Sequence, residues 1–95
     1  MNTVVHVPAP LREYSERKSR VAVDRGEAAT VGEVLETLRM MHPGVTHRVL
    51  DERGQVRRHV NVFVGTVNVR DAQGLKTPVP AGTDVFIMPA VSGGR

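Results

Sequence analysis

The side chains able to do chemistry are few and scattered. Four histidines are present, His6, His42, His47 and His59. No two of them stand at the i,i+4 spacing of a helical metal site, and no cysteine or carboxylate completes a ligand set. The chain has no cysteine at all, which excludes disulfides, thiolate metal sites and a cysteine nucleophile. No nucleophile–base–acid constellation and no phosphate-cradling glycine loop is visible. The sequence therefore points to no metal and no intrinsic enzyme activity. What stands out is the end of the chain, Met88-Pro89-Ala90-Val91-Ser92-Gly93-Gly94-Arg95. Glycine has no Cβ, so Gly93 and Gly94 can thread a channel too narrow for other residues. Residues 89–94 reach roughly 20 Å when extended.

A folded domain must hold that tail out. Ninety-five residues fit one domain and are short for two. Valine supplies 18 positions against 5 leucines and 1 isoleucine. Valine is stiff at χ1 and suits a pleated surface, so strands should dominate the core. No apolar run approaches the roughly 20 residues of a membrane span. The first residues lack the charged and apolar pattern of a signal peptide, and a cytoplasmic location is the expectation. The net charge of +3 is a mild surplus, and the aromatic residues are only Tyr14, Phe63 and Phe86. That is a poor match to nucleic-acid binders, which carry denser basic stripes and stacking aromatics. It suits a soluble surface facing an acidic partner.

The elements follow from periodicity. Thr3 to Val7 (TVVHV) reads as a strand ended by Pro8 and Pro10, with Thr3, Val5 and Val7 on one face and Val4 and His6 on the other. Lys18 to Val23 (KSRVAV) is a second strand, joined to the first by a loop of about ten residues. Thr30 with Glu33 three residues on forms a capping box. The apolar steps Val31, Val34, Leu35, Leu38 and Met41 predict a helix over residues 31–42, stopped by His42-Pro43-Gly44. Placed there, His42 favours the negative helix end. Val45 to Leu50 reads as a short helical turn, and Asp51 to Arg58 as a surface loop. His59 to Val64 (HVNVFV) alternates, with Val60, Val62 and Val64 inward and Asn61 and Phe63 outward. After a turn at Gly65-Thr66, Val67 to Arg70 is a short return strand, and Leu75 to Val79 is at most an edge segment because of Pro78. Asp84 to Met88 (DVFIM) is the last strand, with Val85 and Ile87 on one face and Phe86 and Met88 on the other.

One helix covering one face of a four- to five-stranded mixed sheet is an α+β layer. The apolar first and last strands should lie centrally, with the chain ends beside one another. The expected core is Val5, Val7, Val21, Val23, Val34, Leu35, Leu38, Val60, Val62, Val64, Val85 and Ile87.

This order of elements resembles the β-grasp fold of ubiquitin. The end Met88-Pro89-Ala90-Val91-Ser92-Gly93-Gly94 is similar to the closing motif of the ubiquitin-like sulfur carriers. That family includes the small subunit of molybdopterin synthase and the thiamine-pathway carrier. His59 to Val64, with Val69-Arg70 and Gly74-Leu75, resembles the branch used in cysteine biosynthesis. The resemblance covers essentially the whole chain. It implies a β-grasp domain over residues 1–89 and a flexible tail over residues 90–95. It also implies that the Gly94 carboxylate attacks the α-phosphate of ATP on an activating enzyme, and that a sulfur donor converts the adenylate to a thiocarboxylate. ATP then belongs to the partner, and the chain itself needs no cofactor. Arg95 departs from the family pattern, since it locks the Gly94 carboxyl in a peptide bond. The resemblance implies a precursor, cut between Gly94 and Arg95 by a metal-dependent protease. Further implied partners are a ubiquitin-activating-like enzyme and a sulfur-accepting biosynthetic enzyme. The alternative is a ubiquitin-like protein modifier or a non-covalent interaction module.

Two surface features fit this reading. Phe63, Phe86 and Met88 fall on the outward phase of their strands and form one exposed apolar patch if those strands pair. The family docks its partners through this sheet face. Arg57, Arg58 and His59, with Arg48 and Arg53, make a basic neighbourhood that reads first as a solvated loop and second as a partner contact.

Overall fold

The computed structural model describes residues 1–90. Five strands form one sheet: β1 Asn2–His6, β2 Arg20–Asp24, β3 Val60–Val64, β4 Val67–Asn68 and β5 Val85–Pro89. Their order across the sheet is β2-β1-β5-β3-β4. Helix α1 spans Val31–Met41 and α2 spans Pro43–Val49. Neighbouring strands pair antiparallel except β1 and β5, which are parallel, with Val5 opposite Val85 and His6 opposite Phe86. The first and last strands are indeed central. Their parallel direction corrects one expectation, however. Met1 and Ala90 leave the sheet at opposite ends rather than side by side, because parallel strands start at the same edge.

All twelve expected core residues are buried. Strand alternation puts Val5, Val21, Val23, Val60, Val62, Val64, Val85 and Ile87 on one face, and α1 lays Val31, Val34, Leu35 and Leu38 against it. The capping box forms as expected. The Thr30 hydroxyl accepts from the Glu33 amide, and Glu33 accepts from the Thr30 amide at 2.8 Å. Met41 is the exception on the helical stripe, at 46% exposure. The chain turns into α2 straight after His42, so the last contact of that stripe passes to His42, which is buried at the joint between the two helices.

Three connecting segments are more structured than the sequence suggested. The β1–β2 connection contains a 3₁₀ helix, Ala9–Tyr14. It is closed by the buried Ser15, whose hydroxyl donates to the Lys18 carbonyl at 2.7 Å. Helix α2 packs on this segment at Gly44, where a Cβ would stand 3.0 Å from the Tyr14 ring. The stretch Leu75 to Val79 is not a sheet edge. Val31 and Val79 exchange backbone bonds with it and the lead-in to α1, through Val31 N to Thr77 O and Val79 N to Ala29 O, and Val79 is buried. Gly32 lets this segment approach, since a Cβ there would lie 3.1 Å from the Leu75 carbonyl oxygen. Below the β1–β2 edge, the buried Arg25 donates to Thr3 Oγ1 at 2.9 Å and to the Gly26 and Glu27 carbonyls, tying that loop to the sheet.

Leu38 is fully buried at the centre of the helix–sheet layer. Leu38→Ala is expected to cost about 2–5 kcal/mol as a large-to-small core change. Denaturant unfolding measures this, and a loss below about 0.5 kcal/mol, the scale of surface substitutions, contradicts the layer packing described.

Candidate functional site

The outward face of the sheet is built by the opposite phase of the strands that make the core. Phe86 of β5 stands between Phe63 of β3 and His6 of β1, each directly opposite it in register. The His6 ring stacks on Phe86 with centroids 4.2 Å apart and planes 15° from parallel. His6 Nε2 lies 2.8 Å from Asp84 Oδ2. Asp84 directly precedes β5, so one hydrogen bond fixes the imidazole over the phenyl ring. Met88 sits two residues beyond Phe86 on the same face, opposite Asn61, and is 48% exposed. The structure thus brings the three patch residues together. Of the three, Met88 is the exposed one; Phe63 and Phe86 are half-buried, because their cross-strand neighbours cover part of each ring.

Strand β5 outlasts β1. Its pairing with β1 covers Val85 and Phe86, while its pairing with β3 continues through Met88 and Pro89. The Ala90 amide then donates to the His59 carbonyl at 2.9 Å. Arg70 secures this end of β3 by donating to the Arg57 and Val60 carbonyls and to Asn61 Oδ1. Ala90 is therefore the anchored base of the tail. Val91, Ser92, Gly93, Gly94 and Arg95 lie outside the described residues.

Sequence reasoning put His6 on this face but missed its stack on Phe86, and it missed Asp84 and Arg70. His6 and Asp84 are 78 positions apart, and only the parallel β1–β5 register makes them neighbours. The basic neighbourhood is split. Arg48, Arg57 and His59 gather near the tail exit together with His47, whereas Arg53 belongs to the tight loop after α2. That loop is held by Asp51, whose carboxylate accepts the Gln55 and Arg53 amides at 3.0 and 2.9 Å. These bonds, the Gln55 one foremost, hold the Asp51 carboxyl below its ordinary range. On exposed α1, the Arg39 guanidinium bonds Glu36 and lowers its carboxyl likewise. Among the described residues, no three His, Asp or Glu side chains come together as a metal site.

Met88→Asp is expected to change stability by no more than about 0.5 kcal/mol, as at other open surface positions. Phe86→Asp removes the stack on His6 and puts a carboxylate near Asp84, and should cost well over about 1 kcal/mol. Urea unfolding of both variants checks the pair; a large loss for Met88→Asp places that side chain in the core instead.

The geometry agrees with known proteins over nearly the whole chain. The ThiS family model matches residues 5–94. The sulfur carrier protein CysO of Mycobacterium tuberculosis is 33% identical over 96 residues, covering 99% of this chain and all of that protein. A chain in the crystal structure of the Amycolatopsis orientalis BexX/CysO complex superposes with a TM-score of 0.84 at 32% identity, covering 97% of this chain and 99% of that one. The small archaeal modifier protein SAMP1 of Haloferax volcanii superposes with a TM-score of 0.81 at 30% identity, covering 99% and 100%. With its β-grasp fold, its full-length match and these relatives, the chain belongs to the ThiS family of ubiquitin-like sulfur carriers.

Proposed function

We propose that the reactive group of this sulfur carrier is the backbone carboxylate of Gly94, released by cleavage of the Gly94–Arg95 peptide bond. The observation that carries the reading is the family match, which runs through the glycine pair and ends at Gly94. The freed carboxylate has a reference pKa of about 3.3–3.7 and is ionised at neutral pH. On an adenylating partner it attacks the α-phosphorus of ATP, expelling pyrophosphate and forming an acyl-adenylate. A sulfide donor then attacks the acyl carbon and expels AMP, leaving a thiocarboxylate for a sulfur-accepting biosynthetic enzyme. The carrier is a co-substrate in each step, and the catalytic groups belong to the partners. Removal of Arg95 falls to a metal-dependent protease. Phe63, Phe86 and Met88 form the face on which the adenylating enzyme seats, with Met88 as its most accessible anchor.

A second reading has its own support. Small archaeal modifier protein 1 of Haloferax volcanii is 35% identical over 74 residues, covering 78% of this chain and 80% of that protein. A modifier also needs a free Gly94, but it ends joined to lysines of other proteins.

Intact-protein mass spectrometry separates these outcomes. The form retaining Arg95 should stay unmodified with the adenylating enzyme, ATP and sulfide. The form ending at Gly94 should gain adenylate and then show one oxygen replaced by sulfur. Gly94→Val should slow the reaction severely, since a Cβ collides with a channel built for glycine. A Gly94-ending form that never reacts refutes the carrier reading; lysine conjugates without thiocarboxylate establish the modifier. In the same assay Met88→Asp should weaken binding to the adenylating enzyme by roughly tenfold or more, as loss of an apolar interface anchor does. Unchanged binding shows that the patch is idle surface.

A further inference from the structure

Beside the tail exit lies a groove of about 530 Å³ that the patch does not explain. Its apolar lining comes from Pro8, Pro10 and Leu11 after β1 and from Ile87, Met88 and Pro89 of β5. Its remaining lining includes His47, Arg48, Arg57 and His59, and no carboxylate. Both arginines are already fixed in place. The Arg48 guanidinium sits 3.7 Å from the centre of the Tyr14 ring, and Arg57 donates through Nε and Nη2 to the His47 carbonyl at 3.2 and 3.1 Å. Among the described residues, neither arginine pairs with a carboxylate. Cations held this way lose little further freedom when a partner arrives.

The length of the tail says what covers this groove. From the anchored Ala90 to the carboxyl of Gly94 is four residues, at most about 14 Å of chain. An enzyme that works on that carboxyl must press against the end of the domain from which the tail leaves. The groove is a concave feature there, and the one lined by both Arg48 and Arg57; Met88 and Pro89 lie in both its lining and the root of the tail. An apolar trough with a cationic border and no acid of its own selects an apolar side chain flanked by negative charge.

We propose that the groove seats an apolar side chain flanked by carboxylates on the enzyme that adenylates Gly94. This rests on the carrier reading above and adds to it a second docking element, sharing only Met88 with the aromatic patch. The charged border sets the approach, and the apolar trough holds the complex while the tail threads.

Calorimetric titration tests the groove, using the chain ending at Gly94 and the adenylating enzyme encoded in the same genome. Arg48→Glu and Pro10→Glu, each confirmed folded by its thermal melt, should weaken binding by about tenfold or more, the scale of charge reversal at a complementary interface. Arg48→Lys should bind close to wild type, because the charge is kept. Added salt should weaken the wild-type complex more than the Arg48→Glu complex. At saturating carrier the adenylation rate should be unaltered in both Glu variants, with KM raised, since neither residue touches the reacting atoms. Adenylation by wild type together with undiminished affinity of both Glu variants overturns this inference and leaves the carrier reading intact. A wild-type chain that yields no adenylate overturns both. Weakened binding only to the sulfur-accepting enzyme, or a dimer of this chain abolished by Arg48→Glu, assigns the groove to another occupant and likewise overturns it.

Discussion

The pairing of β1 with β5 is the constraint on which the rest of the structure depends. Two parallel neighbours cannot be joined by a tight turn; they need a long crossover. Here the crossover is nearly the whole chain between His6 and Val85, including α1, α2 and three further strands. The pairing puts the buried Val5 opposite Val85 in the middle of the sheet, where α1 covers them. One residue on, it sets His6 beside Phe86 on the other face. Core and outward face are therefore two phases of the same register. A slip by one position would exchange them, exposing valines and burying an imidazole with its carboxylate.

The same register decides how the chain leaves the domain. Strand β1 stops at the prolines, and β5 continues for three residues beyond its last partner in β1. Those residues stay ordered through β3 and the Ala90–His59 bond, with Arg70 holding the β3 side. The withdrawal of β1 at Pro8 opens the space that becomes the groove. A strand end held on one edge and open on the other suits the role proposed for it, as the root of a segment that enters another protein. The base is fixed, yet the flank beside it is accessible.

Much of this was legible in the sequence, and the gaps have physical causes. The twelve residues picked from the alternation of valines and the helical stripe are all buried, since both periods reflect burial directly. The capping box was readable because its partners are three residues apart. Val45, Val49, Val69 and Val79 escaped, because each sits in a short helical or irregular segment with too few residues to display a period. Met41 went the other way: its spacing fits the stripe, but the chain turns off before the sheet reaches it. The aromatic patch was visible as a phase, while the His6–Asp84 brace was not, since it depends on which strands are neighbours. The tail motif carried the family resemblance, and the family match runs through it to Gly94; Val91 to Arg95 lie outside the described residues.

On the chemistry proposed above, the reactive atom of this carrier is a backbone carbonyl carbon, which places unusual demands on its domain. Any glycine-ended chain presents the same chemical group, so the reacting end contributes little to telling one carrier from another. Discrimination must come from the surface around the root of the tail. That surface is divided in this protein. An aromatic strip centred on Phe86 offers apolar contact, and a cationic border around the groove offers direction and charge. Apolar burial supplies affinity with little selectivity, whereas like charges facing one another reject wrong partners at a cost of several kcal/mol. With both elements close to Ala90, a short tail suffices. On that proposal, correct seating of the domain is what brings Gly94 to its enzyme.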